Sequence, residues 1–244
     1  MSFISIEVEN VKKAFGSTEA LKGVTVNFKP GPMHGVIGPE GAGKTTLIRI
    51  ILGLLKPNEG NVRYWMNANE VSFEAVRSSI AYMPQQQSLY PDLSIDEHLY
   101  FFKELYGIRD LDYTKKREEL LHITRLKEFV TRPAGKLSGG MYKKLGLMCA
   151  LLRSPQVILL DEPTNGVDPI SRREFWELLY RLSDQKILII LTTAYMDEAE
   201  RCGEVHLIEK GKIIEEGNPR ELLESEKVES FDQFFLQRGA DESS

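Results

Sequence analysis

MHGVIGPEGAGKTTLIRIILGLL, residues Met33 to Leu55, decides how the rest of the chain is read. A short apolar strand, MHGVIG, runs directly into a glycine-rich turn, and helical spacing begins at Lys44. Inside it GPEGAGKTT, Gly38 to Thr46, fits G-x-x-x-x-G-K-[ST] in the strand-to-helix setting that gives the pattern meaning. A chance match would be a glycine turn between unrelated elements, and the flanks argue against that. The loop Gly38, Pro39, Glu40, Gly41, Ala42, Gly43 can turn its backbone N–H groups on phosphate oxygens, and the helix opening at Lys44, Thr45 and Thr46 adds its positive end. Lys44 reaches the β- and γ-phosphates, and the Thr45 hydroxyl is offered to Mg²⁺.

A phosphate loop needs an acid for its metal, and VILLDEP, Val157 to Pro163, supplies one. It is an apolar strand ending in two carboxylates. Asp161 is assigned to Mg²⁺ through water, and Glu162, one residue on, to polarising an attacking water. A strand that simply ends in polar residues is common. Paired with the loop, however, the two motifs read as nucleotide binding with hydrolysis.

The surrounding pattern gives the fold class. ISIEVENV and GVTVNFKPG alternate as strands before the loop. After Pro155 come the strand VILLD, the helix SRREFWELLYRL, the strand KILIILTT, a further helix after Tyr195, and a closing hairpin VHLIEKGKIIEEG. Strands separated by helices imply an α/β P-loop NTPase core, a mostly parallel sheet with helices on both faces, preceded by an N-terminal antiparallel β region. Residues 89–153 carry helical spacing and charge pairs such as KKREEL, and read as an inserted helical subdomain. One domain is expected over 1–244: core 1–88 and 154–224, helical subdomain 89–153, and a tail 225–244 whose FDQFFLQRG is either a short docking helix or a frayed end.

Composition narrows the partners. The 244 residues suffice for a large core, and the net charge of −5 is spread without a basic block, which argues against nucleic acid. Cys149 and Cys202 are too few and too far apart for a disulfide framework or zinc site, so a reducing cytosol is expected. LIRIILGLL and KILIIL are far short of the roughly 18 apolar residues a membrane span needs. A membrane role would require spanning helices from another polypeptide.

LSGGM, Leu137 to Met141, is the third motif. It precedes the carboxylate strand by about twenty residues and opens a helix, so it offers N–H groups and a hydroxyl to an anion. With it the chain, from about Ile4 to Leu223, closely resembles the ATP-binding subunits of ABC transporters. The resemblance implies that ATP and Mg²⁺ are the cofactors. It matches Phe15 to an aromatic that stacks on adenine, and Gln85 to a glutamine that contacts Mg²⁺ and senses the membrane partner, with Gln86 and Gln87 leaving the register open. Asp168 matches an acid of the loop that crosses a head-to-tail dimer interface. Ser138, Gly139 and Gly140 match contacts to the γ-phosphate held by the opposing subunit. Lys44, Gln85 and Glu162 are thereby the expected catalytic set, and Thr45, Gln85 and Asp161 the expected metal set.

Two positions depart from the family pattern. A histidine that bonds the γ-phosphate usually follows the strand after the carboxylates, and here Ala194 stands there, with His34, His98, His122 and His206 elsewhere. Glu40 replaces a common asparagine and puts a carboxylate beside the triphosphate unless it faces outward. PAGKLSGGMYKKLGLMCALL, DEPTNGVDPISRREFW and TTAYMDEAERC resemble the first, degenerate half of tandem bacterial ABC-2 exporter ATPases. The expected partners are therefore a transmembrane ABC-2 permease subunit and a second, separate ATP-binding subunit, on the cytoplasmic face of the membrane. The alternatives are an active homodimer, a soluble ABC protein acting on ribosomes or DNA, and a P-loop kinase or GTPase, which LSGGM argues against.

Overall fold

A computed structural model describes residues 3–86 and 89–241. In chain order its elements are β1 (Ile4–Phe15), β2 (Thr18–Phe28), β3 (His34–Ile37), α1 (Lys44–Ile51), β4 (Glu59–Met66), β5 (Asn69–Val71), α2 (Phe73–Val76) and β6 (Ile80–Met83). There follow α3 (Ile95–Tyr106), α4 (Asp110–Thr124), α5 (Gly139–Leu151), β7 (Val157–Asp161), α6 (Pro169–Ser183) and β8 (Leu188–Thr193). The chain closes with β9 (Glu204–Glu209), β10 (Lys212–Gly217), α7 (Pro219–Glu226) and α8 (Phe231–Asp241). These form two compact units, one made of the residues up to Val76 with those from Leu188 onward, the other of Arg77–Ile187.

The first unit contains two sheets. One is antiparallel, in the order β2-β1-β4-β5, and the period-2 alternation of the sequence explains it. Ile4, Ile6 and Val8 of β1 are buried with Val24, Val26 and Phe28 of β2, while the intervening residues face out. In the other sheet β3 lies between β8 and β9, parallel to both, and β10 returns antiparallel to β9. Every residue of β3 and β8 is buried, the mark of strands covered on both faces. The register pairs Ile37 with Thr193, so both strands end at the same level. The tail folds back as α8, with Phe231 and Phe234 buried, so FDQFFLQRG is a docked helix.

One expectation is corrected here. The acidic stretch after Tyr195 is a 3₁₀ turn, Met196–Arg201, and not an α-helix. The connection from Thr193 to Glu204 is too short for an α-helix with its entry and exit, and the chain tightens to i→i+3 bonding, with Cys202 N donating to Ala199 O at 3.1 Å.

In the second unit β6 and β7 pair in parallel, and α5 packs on β6, α3, α4 and α6. Local chemistry sets the helix ends. Ser94 and Glu97 form a capping box on α3, and Gly107 ends that helix in the left-handed region. Asp168 caps α6, with Pro169 just inside. The buried Lys144 of α5 bonds Glu174 of α6 at 2.6 Å, so the two helices share a charge pair as well as an apolar seam.

Candidate functional site

The phosphate loop is held by the first unit. Gly38 N donates to Thr193 O at 3.2 Å, which joins the start of the loop to the end of β8. Gly43 caps α1 at φ 108°, and a Cβ there would strike Ala20 O at 2.5 Å, so the position requires glycine on both counts. Gly41, at φ 76°, has nothing within 4 Å of its absent Cβ and leaves open space over the loop. Lys44 is buried, and its ammonium donates to the carbonyls of Gly38 and Pro39 at 2.8 and 2.9 Å. The lysine is thus folded along the rim of the loop whose anion it is expected to meet. Thr45 and Thr46 are half-buried in the first turn of α1. Glu40 is exposed, which suits the outward-facing alternative for its carboxylate. These residues fit a polyphosphate: a glycine-enforced turn, a helix N-terminus and an ammonium in one loop.

Phe15 ends β1 half-exposed, with the Lys13 ammonium 5.4 Å from its ring centre. An aromatic face left at the surface is available for stacking, whereas a core aromatic would be buried. Ala194 follows directly on β8, and Tyr195 N donates to Thr193 Oγ1 at 3.0 Å, closing a tight turn around it. Residue 194 therefore sits one position beyond the carbonyl that holds Gly38.

The second unit gathers the carboxylates. Asp161 ends β7 fully buried, 3.5 Å from the Tyr82 hydroxyl on neighbouring β6. Glu162 is buried, and its Oε2 accepts from Gln85 Nε2 at 2.9 Å and Asn165 Nδ2 at 3.0 Å. Its backbone sits at φ 45°, an uncommon conformation for a residue with a Cβ. That conformation turns the chain at the end of β7 so that the carboxylate meets both amides. Gln85 is therefore the glutamine that meets the carboxylate, and Gln87 lies outside the described residues. The Lys143 ammonium donates to Gln85 O at 3.1 Å. Burial pushes the Lys143 ammonium down, and the Glu162 and Asp161 carboxylates oppose that shift.

Ser138 caps α5, its hydroxyl accepting from Met141 N at 3.3 Å. The two signature glycines have different reasons to be glycine. A Cβ on Gly140 would overlap the Ser171 side chain of α6, whereas a Cβ on Gly139 would meet only Gly166 O at 3.6 Å. Packing explains Gly140, and Gly139 is left without a steric reason. Asp168 has a structural role besides the expected one: its carboxylate accepts from Ser171 N at 3.0 Å, and the Ser171 hydrogen bonds hold it below the usual range.

Asn165 and Lys143 were not singled out in the sequence. Asn165 could have been: it follows Glu162 by three residues in a turn, the spacing at which a side-chain amide reaches back. For Lys143 the sequence gives no signal, since only the packing of α5 brings it to Gln85.

A second cluster, away from these motifs, brings ligand-type atoms of His34, Glu204 and His206 within 4.8 Å of one another. Its geometry is that of a hydrogen bond. His34 Nδ1 and His206 Nε2 are 3.1 Å apart while the ring centres are 5.4 Å apart with planes at 16°, a difference of about two ring radii. The nitrogens therefore point straight at each other, whereas metal ligands would converge on a third point.

Comparison with known proteins agrees with the motifs. The sequence model of the family described as "ABC transporter" matches residues 21–165. The chain is 38% identical over 234 residues to the probable multidrug ABC transporter ATP-binding protein YbhF of Escherichia coli (strain K12), covering 93% of this chain and 39% of that protein. It thus spans about two fifths of that relative's length. It is 36% identical over 223 residues to the Nod factor export ATP-binding protein I of Paraburkholderia xenovorans (strain LB400), covering 91% of this chain and 73% of the relative. Among solved structures, an ATP-binding subunit of an ABC transporter superposes with a TM-score of 0.81 at 27% identity, covering 95% of this chain and 98% of that one. The ADP conformation of another ABC ATP-binding cassette gives 0.76 at 27% identity, covering 91% and 92%.

Proposed function

This chain belongs to the ABC transporter family as one of its ATP-binding, ATP-hydrolysing domains, and on that premise we propose that it is the slow half of an asymmetric exporter pair. It binds MgATP on its own phosphate loop and hydrolyses it slowly. It lends Ser138, Gly139 and Gly140 to the ATP of a head-to-tail partner, and passes the closure of the pair to a transmembrane ABC-2 permease subunit.

The observation that carries this reading is the bond from Gly38 N to Thr193 O, which puts residue 194 beside the phosphate loop, where the chain has a methyl group. A methyl can neither donate to a developing γ-phosphate charge nor help set an attacking water. The other parts are intact. Lys44 and the loop amides bind the β- and γ-phosphates, Phe15 stacks on adenine, and Glu162, held by Gln85 and Asn165, takes the proton of the water. Thr45, Asp161 and Gln85 would hold Mg²⁺, which when bound neutralises phosphate charge.

No described helix is long and apolar enough to cross a membrane. A groove of about 570 Å³ in the helical unit, lined by Leu93, Asp96, Glu97, Tyr100, Phe101 and Glu104 among others, supports docking of the permease subunit on the α3 face. Co-purification from detergent-solubilised membranes tests the assembly. A transmembrane subunit with a second ATPase is expected, and ribosomes or DNA in its place would overturn the reading.

A further inference from the structure

Consecutive residues of α5 bond to the backbone of Gln85 and of Leu89. Lys143 Nζ donates to Gln85 O at 3.1 Å, and the Tyr142 hydroxyl accepts from Leu89 N at 3.1 Å. Gln85 in turn donates from its side chain to Glu162 Oε2 at 2.9 Å. A continuous line thus runs from the helix capped by Ser138, through an ammonium and a backbone carbonyl, to the carboxylate at the end of β7. The lysine holds residue 85 itself, at its own backbone carbonyl.

We propose that Lys143 is a positioning residue for ATP hydrolysis. By gripping the Gln85 carbonyl it fixes the backbone from which the Gln85 amide reaches Glu162, and so sets the orientation of the base. Displacement of a reacting group by about 1 Å costs up to 10²-fold in rate, so a loosened Gln85 matters even though Lys143 touches no reacting atom. The inference rests on the reading of Glu162 as the base, and its test separates the two.

Lys143→Met keeps the apolar stem and removes the donor, and Lys143→Arg restores a donor. In protein labelled with ¹⁵N-glutamine, the Gln85 side-chain amide signal is identified by its loss in Gln85→Leu. In Lys143→Met that signal should move toward those of exposed glutamines and exchange faster with solvent, and in Lys143→Arg it should return. Single-turnover hydrolysis with protein in excess should slow about tenfold in Lys143→Met, with MgATP affinity unchanged, and recover in Lys143→Arg. A Gln85 signal unmoved by Lys143→Met, or a rate that arginine does not restore, overturns the proposal. If the chain fails to hydrolyse ATP at all, the functional reading falls, while the amide signal still decides whether Lys143 positions Gln85.

Discussion

Glu162→Gln separates the chemistry of the site from its architecture. The wild-type carboxylate oxygen accepts from two amides, at 2.9 and 3.0 Å, in a pocket where the residue is 7% exposed. A glutamine oxygen can accept the same two bonds, so the turn after β7 has no reason to rearrange. Bonds to a charged acceptor contribute about 1.5–3 kcal/mol against about 1 kcal/mol for neutral ones, so two weakened bonds cost about 1–4 kcal/mol. Removing a buried charge offsets much of that, leaving folding stability within about 1 kcal/mol of wild type. The rate behaves differently. A general base contributes roughly 10²–10⁴-fold, about 3–5 kcal/mol of barrier, and an amide cannot take a proton. The assay is single-turnover hydrolysis of γ-labelled ATP at saturating protein, beside urea unfolding of the same preparations. Near-native stability, retained MgATP binding and a loss of at least about a hundredfold in rate are expected. Turnover equal to wild type would refute the assignment of Glu162 and the description of the site built on it.

Two further predictions follow from the geometry. Gly140→Ala should cost about 1–3 kcal/mol in urea unfolding because its methyl overlaps Ser171, whereas Gly139→Ala should stay within about 0.5 kcal/mol while weakening ATP-driven pairing; equal stability losses would show that both glycines serve packing alone. Acid should destabilise the first unit through His34. Burial, with His206 as neighbour, pushes the His34 ring below its ordinary value, so the unfolded chain takes up the proton first and stability falls as pH drops below about 6.5. Glu216, held low by its bond to His206, adds to the same sense at lower pH, its stabilisation being lost as pH falls through its lowered value. The fall in Tm between pH 7.5 and 5.5 should be smaller in His34→Gln, and identical pH slopes would contradict the assignment.

The motif-bearing elements were legible because each has a local cause. β3, the loop and α1 follow from an apolar run, glycines and helical spacing, and α5 and α6 from Ser138 and Asp168 as caps. The strands β4 and β6 are not legible in this way, although YWM and IAYM are strand-formers, because β4 finds its partner only by pairing with β1 some fifty residues away. The 3₁₀ turn at Met196 differs from the expected helix because its composition is helical while its length is fixed by the two strands it joins. In the site, Lys44, Asp161 and Glu162 could be named from spacing alone. Asn165 on Glu162 and Lys143 on Gln85 are products of the turn at φ 45° and of helix packing, and neither leaves a mark in the pattern of residues.

The most direct measurement is the ATPase rate of Ala194→His against the parent chain, with MgATP affinity determined on both. The Gly38–Thr193 bond sets residue 194 beside the phosphate loop, so an imidazole there should supply the missing donor. One such donor contributes about 10²–10³-fold, and the account predicts a gain in rate toward that range with little change in affinity. A parent chain that already turns over rapidly, and that histidine leaves unchanged, would contradict the claim that this site binds ATP better than it hydrolyses it.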